Sequence, residues 1–190
     1  MFDYSMLKAI SKISDDQKVK SIVNSLNPNQ EVSKTWLVSE SIKYFQIFEK
    51  PKFLVAAGWY GNLANKLLDH GEVLSFDKDK NCAIIGEKLY PKVKFKTFDM
   101  IDYRYVKRYD VIICTSCEHI EQDVLNDFIS KRKEDDSIVI LQSNNYTSLP
   151  EHINCVKDEN ELADKTKLKM IHYKGSLQCD GFKRFMVIGA

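Results

Sequence analysis

No apolar run in this sequence approaches the roughly 20 residues that a membrane-spanning helix requires. The start, Met1-Phe2-Asp3-Tyr4, lacks the charged-then-apolar layout of a secretory leader. An excess of charge is missing too: 28 basic residues against 27 acidic ones give a formal net charge of +1. That balance does not indicate affinity won by neutralising many phosphates, although a local basic face would still admit a nucleic-acid partner. The Lys-rich stretches Lys131-Arg132-Lys133 and Lys165-Thr166-Lys167-Leu168-Lys169 are interleaved with acids and read as solvated surface. A disulfide framework is absent as well. Cys82, Cys114, Cys117, Cys155 and Cys179 are odd in number and scattered, which suits reduced thiols. There is no internal repeat and no low-complexity tract. A soluble, cytoplasmic protein without a membrane partner is expected, and 190 residues are enough to bury a real core.

What is present divides at Pro51. Residues 1–50 carry apolar side chains at helical spacing (Leu7, Ile10, Ile13; Val19, Ile22, Val23; Trp36, Leu37, Ile42, Tyr44, Phe45), and Asn27-Pro28-Asn29 splits them into two helices. This N-terminal helical extension is expected to act as a lid on the domain formed by residues 51–190. Beyond Pro51, short apolar runs alternate with helical segments. Strands are expected at Phe53–Ala57, Val73–Phe76, Val93–Phe98, Asp110–Cys114 and Ser137–Gln142, with helices at Asn62–Asp69, Lys80–Leu89 and Glu121–Lys131. Continuous apolar strands separated by helices imply a parallel sheet covered on both faces. Leu168–Tyr173 and Phe182–Ile188 are strand-like but joined by a short polar stretch. Parallel neighbours need a crossover of a dozen or more residues, so this pair should be an antiparallel hairpin.

The chemistry-bearing residues fall at strand ends. Ala57-Gly58-Trp59-Tyr60-Gly61 lies between the first strand and the first helix, where glycine permits a tight turn and a close backbone approach. Asp77 ends the second strand 19 residues after Gly58, where a carboxylate can accept hydrogen bonds from both hydroxyls of a ribose. Asp99 ends the third strand in Phe98-Asp99-Met100. Consecutive strand ends of this kind form the rim on which open α/β sheets bind ligands. Each feature alone also fits an ordinary turn or helix cap.

Taken together, residues 51–190 resemble the S-adenosylmethionine (SAM)-dependent methyltransferases of class I. The resemblance implies a Rossmann-like, doubly wound, mostly parallel α/β sheet with a C-terminal antiparallel hairpin. It also implies SAM as cofactor, held by Ala57, Gly58, Trp59, Tyr60, Gly61, Asp77, Lys78, Asp99, Met100, Thr115 and Ser116. The family's first loop reads acid-x-Gly-x-Gly-x-Gly; here Val55-Ala56-Ala57-Gly58-Trp59-Tyr60-Gly61 keeps only the last glycine in place. The combination of Gly-Trp-Tyr-Gly, Ser-Cys-Glu-His and Gln-Ser-Asn-Asn is similar to small orphan methyltransferase-like proteins of phages.

Family chemistry follows the fourth strand, here Cys114-Thr115-Ser116-Cys117-Glu118-His119-Ile120. The Asn/Asp-Pro-Pro-aromatic motif of base N-methylation is absent. Glu118-His119 resembles instead the Glu-His-hydrophobic signature of small-molecule O- and C-methyltransferases, which makes Glu118 and His119 the candidate catalytic pair. The same dipeptide ligates metal in a branch acting on small RNAs, but Thr115 stands where that branch has a further Glu, and no metal site is expected. Cys114-x-x-Cys117 lacks the surrounding sequence of a redox pair and the second pair of a zinc site. The amide, hydroxyl and imidazole groups of Gln142–Tyr146 and Glu151–Asn154 could bind a polar acceptor. Three readings follow: transfer of a methyl group to a small polar or nucleotide-like acceptor, a non-catalytic or partner-dependent SAM-binding protein, and a nicotinamide-dependent oxidoreductase. The acceptor and the oligomeric state stay open at this level.

Overall fold

The computed structural model describes residues 4–102 and 109–190. The Met1-Phe2-Asp3 start and the side chains of Arg132 and Lys133 lie outside the described residues.

The helical N-terminal region holds three helices rather than the expected two: α1 (Tyr4–Ile10), α2 (Asp16–Ser25) and α3 (Pro28–Phe45). The extra break comes from Asp15, whose carboxylate accepts from the N–H groups of Gln17 and Lys18 at 3.0 and 3.1 Å and so opens a new helix. The expected break at Asn27-Pro28 has the same basis. Asn27 caps the Gln30 N–H at 2.9 Å, and Pro28 takes the first helical position, where a missing N–H costs nothing.

The remainder alternates strand and helix: β1 (Lys52–Ala56), α4 (Asn62–Leu67), β2 (Glu72–Asp77), α5 (Lys80–Leu89), β3 (Lys94–Thr97), β4 (Tyr109–Cys114), a 3₁₀ turn (Cys117–His119), α6 (Gln122–Arg132), β5 (Lys133–Asn144), α7 (Glu159–Lys165), β6 (Ile171–Gln178) and β7 (Lys183–Gly189). The seven strands among the described residues form one sheet in the order β3-β2-β1-β4-β5-β7-β6. Strands β1 to β5 run parallel, and β7 inserts antiparallel between β5 and β6. The expected terminal hairpin is therefore present, although its first strand starts at Ile171 rather than Leu168. That strand runs through the polar stretch Lys174-Gly175-Ser176, because an edge strand with one exposed face tolerates polar residues at alternate positions. Helix α7 gave no signal in the sequence. It spans only 7 residues, is capped by Asp158 on the Glu161 N–H, and buries one leucine, Leu162, against Phe185 and Val187 of β7.

Successive strand residues point to opposite faces and fill two cores. Phe53, Val55, Val111, Ile113, Ile138 and Ile140 share one buried cluster with Ile22, Leu37 and Phe45 of the N-terminal helices and with Leu63 and Ile85 of α4 and α5. Leu54, Ala56, Ile112, Cys114, Val139 and Leu141 pack on the other face against Leu125, Phe128 and Ile129 of α6. Strand β1 lies between β2 and β4, so the chain direction of the winding reverses beside it. A crevice opens at the strand ends at such a point.

Candidate functional site

The turn after β1 is held in an unusual backbone shape. Ala57 and Trp59 have positive φ (49° and 51°), as does Gly61 (87°). Two left-handed residues other than glycine in one turn persist only when the surroundings hold them there. The holding groups are visible. The Gly58 N–H donates to the Phe76 carbonyl at 2.9 Å, and the Trp59 N–H donates to Asp77 Oδ2 at 3.1 Å. Asp77 Oδ1 accepts from the Asp79 N–H, also at 3.1 Å. The carboxylate at the tip of β2 thus points at the turn, and each of its oxygens keeps a lone pair for a further donor.

Trp59 is half-buried, stacks on Tyr60 with centroids 5.5 Å apart, and lines the crevice. Tyr60 turns inward, where its hydroxyl bonds the Ser21 hydroxyl at 3.0 Å and ties the turn to α2. Gly61 starts α4, and a Cβ there would lie 2.4 Å from the Phe95 ring.

The crevice is a cleft of about 1040 Å³, at the upper end of the size range of small-molecule sites. It brings together Ala57, Gly58, Trp59, Asp77, Lys78, Asp99, Met100, Thr115, Ser116, Glu118 and His119, whereas the buried Tyr60 and Gly61 do not line it. Asp99 is exposed, and its Oδ1 accepts from the Ile101 N–H at 3.1 Å. Beside it, the rings of Phe76 and Phe98 stack at 3.9 Å and present an apolar wall to the cleft.

At the opposite end the site is built from side chains. Glu118 is only 3% exposed. Its Oε1 accepts from Asn144 Nδ2 at 2.7 Å and from Arg184 at 3.4 Å. Arg184 also donates to the Thr115 carbonyl at 2.8 Å, so one guanidinium from β7 fixes both residues that follow β4. His119 is exposed, with Nδ1 3.1 Å from the Glu151 carbonyl, and its ring meets that of His152 edge-on at 4.6 Å.

The polar run at the end of β5 divides in two. Gln142 is buried and accepts from the Ser33 hydroxyl at 3.0 Å, which fastens α3 to the sheet. The Ser143 hydroxyl donates to the Asn154 carbonyl and the Asn154 amide to the Cys117 carbonyl of the 3₁₀ turn, while Asn144, Tyr146, Glu151 and His152 face the cleft. Cys114 and Cys117 are buried beneath. Contact with the Cys114 side chain and then burial hold the Cys117 thiol well above its ordinary pKa, which disfavours its reactive thiolate.

Two cleft residues carried no local signal, Arg184 on β7 and Lys34 on α3. Lys34 is 7% exposed, and its Nζ has the Ser25 carbonyl at 3.4 Å as acceptor. Burial first, and the charge of Arg184 second, push its pKa down to about 8.

No protein-family model matches the sequence, and no curated protein matches it significantly. Solved structures do. The N-methyltransferase NodS from Bradyrhizobium japonicum WM9, in complex with S-adenosyl-L-homocysteine, superposes with a TM-score of 0.70 at 10% identity, over 98% of this chain and 99% of that one. An S-adenosylmethionine-dependent methyltransferase from Clostridium acetobutylicum gives 0.63 at 13% identity, over 82% and 89%. A TehB-like SAM-dependent methyltransferase from Corynebacterium glutamicum gives 0.59 at 12% identity, over 86% and 99%. With the strand order and the inserted β7, these matches decide the architecture. The chain has the class I methyltransferase fold. Within that methyltransferase fold the cleft lies at the carboxyl ends of β1, β2 and β4, on the ligand-binding side of an open sheet. No helix among the described residues is long and apolar enough to cross a membrane.

Proposed function

We propose that the cleft binds SAM and that the protein transfers its methyl group to a small polar or nucleotide-like acceptor by O- or C-methylation. The observation that carries this reading is the carboxylate of Asp77, which faces the Gly58–Trp59 turn with unused acceptor capacity, as ribose recognition requires. The donor set fits the group. Asp77 takes the ribose, Asp99 with Met100 and the Phe98 ring bound an adenine slot, and Ala57, Gly58, Thr115 and Ser116 supply backbone beside the reacting end. Lys78 flanks the ribose side.

When bound, SAM would supply an electrophilic methyl group on its sulfonium to a nucleophilic oxygen or carbon of the acceptor. The chain's own task is to exclude water, align the acceptor in line and accept its proton. Glu118 and His119 stand at the end of the cleft where that acceptor would lie. Helices α2 and α3 form the wall through which residues 1–50 serve as a lid.

Calorimetry with SAM, its demethylated product and NAD tests the reading. SAM and its product should bind while NAD should not, and Asp77→Ala should weaken SAM at least ~10-fold, because a charge-assisted acceptor contributes ~1.5–3 kcal/mol. NAD binding without SAM binding, or an unchanged affinity in Asp77→Ala, rejects it. A second reading is a SAM-binding protein without turnover, favoured by the departure of Ala57-Gly58-Trp59 from the family's glycine pattern. Tight SAM binding without methyl transfer to broad acceptor pools would select it.

A further inference from the structure

Glu118 has one oxygen fully engaged and one without a partner. Oε1 accepts from Asn144 and Arg184, whereas Oε2 is buried and has no hydrogen bond among the described residues. A buried carboxylate oxygen left unpaired is costly, and such an atom at a cleft wall calls for a ligand. Two imidazoles lie beside it. One ligand atom from each of Glu118, His119 and His152 falls within 4.8 Å of the other two.

Both rings are oriented in the same sense. Nδ1 of His119 faces the Glu151 carbonyl at 3.1 Å, and Nδ1 of His152 faces the Tyr146 carbonyl. A carbonyl only accepts, so Nδ1 carries the proton in each ring, and in the neutral ring Nε2 keeps its lone pair. Backbone carbonyls that fix the tautomer in this way are the usual outer partners of metal-bound histidines.

We propose that Glu118, His119 and His152 bind a divalent transition metal of the zinc type at the acceptor end of the cleft. Two imidazole nitrogens and one carboxylate oxygen suit zinc and its first-row neighbours, whereas magnesium takes oxygen ligands in an octahedron. Tetrahedral donors on zinc stand about 3.4 Å apart, given bonds of roughly 2.0–2.1 Å. Binding would draw the three donors from within 4.8 Å of one another to that spacing, with His119 exposed and His152 half-buried. Three protein ligands leave one position open toward the cleft, where a Lewis acid would lower the pKa of an acceptor hydroxyl.

The metal then takes over the activation of the acceptor for which Glu118 and His119 were the candidate pair, and the acceptor class narrows to hydroxyl compounds. That use rests on the methyl-transfer reading; the site itself does not.

The test is titration of chelator-treated protein with Zn²⁺ and Mg²⁺ by calorimetry, and with Co²⁺ by visible absorption. One equivalent of Zn²⁺ or Co²⁺ should bind, Mg²⁺ should not compete, and His119→Ala or His152→Ala should each weaken binding at least ~10-fold, the lower bound for removing even an outer partner. Cys155, whose Sγ lies 3.9 Å from Nδ1 of His152, supplies the control, because Cys155→Ser should leave the affinity unchanged. Absent stoichiometric binding, unchanged affinity in His152→Ala, or loss confined to Cys155→Ser would overturn the proposal. SAM affinity measured on the same samples reports separately. Metal uptake without SAM binding would remove the methyl-transfer reading alone, and SAM binding without metal uptake would remove the metal site alone.

Discussion

At the Asp77 end of the cleft the geometry is carried by backbone, and at the Glu118 end by side chains. Around Asp77 the contacts are N–H groups of Trp59 and Asp79, a carbonyl of Phe76 and a turn with three positive φ angles. Around Glu118 they are an amide from β5 and a guanidinium from β7, reaching across 26 and 66 positions of sequence. The first arrangement is stiff and needs few particular side chains. The second depends on charges balanced in a dry setting, where removal of one partner leaves the other exposed to the full cost of burial.

The contrast can be broken from the side-chain end first. Arg184→Met keeps the volume but leaves the Glu118 carboxylate with Asn144 alone, and breaking a buried pair in this way costs ~3–5 kcal/mol. Urea unfolding should show that loss at neutral pH; a loss below ~1 kcal/mol would mean that the pair is not desolvated in solution.

Lys34 should behave in the opposite sense. Its pKa is pushed down to about 8 from 10.5, so between those values the unfolded chain holds a proton that the folded chain has released. Stability therefore rises with pH across that window, and below it the buried charge is a standing cost. Lys34→Met should stabilise the protein by ~2–3 kcal/mol at pH 7 and flatten the rise between about pH 8 and 10.5. Stability profiles of the two proteins that run parallel would contradict this.

The backbone end should give the smallest change. Gly61→Ala meets both a φ of 87° and the Phe95 ring, and should cost ~1–2 kcal/mol in thermal unfolding. A larger loss than that of Arg184→Met would invert the comparison.

The same contrast explains what could be read in advance. The turn at Gly58, the acid at Asp77 and the Glu118-His119 pair all lie immediately after apolar runs, so one-dimensional spacing places them on the rim. Arg184 sits inside an apolar strand and Lys34 on a helix whose polar positions look solvated. Nothing near either in sequence marks it as buried beside the cleft. His152 was visible only as one member of a polar loop; its pairing with His119 depends on how residues 145–157 fold back over the 3₁₀ turn, through the bond of the Asn154 N–H to the Glu118 carbonyl.

Helix α7 and the true course of β6 escaped for a related reason. Short elements that bury one side chain, or half of each strand, carry little periodicity.

By itself the sequence determined the alternation of strand and helix, the terminal hairpin and the row of polar groups at the strand ends. These follow from hydrophobic spacing and crossover length, both local properties of the chain. Only the tertiary structure decided which of those groups share a cavity, which carboxylate oxygen is left without a partner, and which lysine is buried. Burial and electrostatic neighbourhood are set by residues distant in sequence, and no local pattern encodes them.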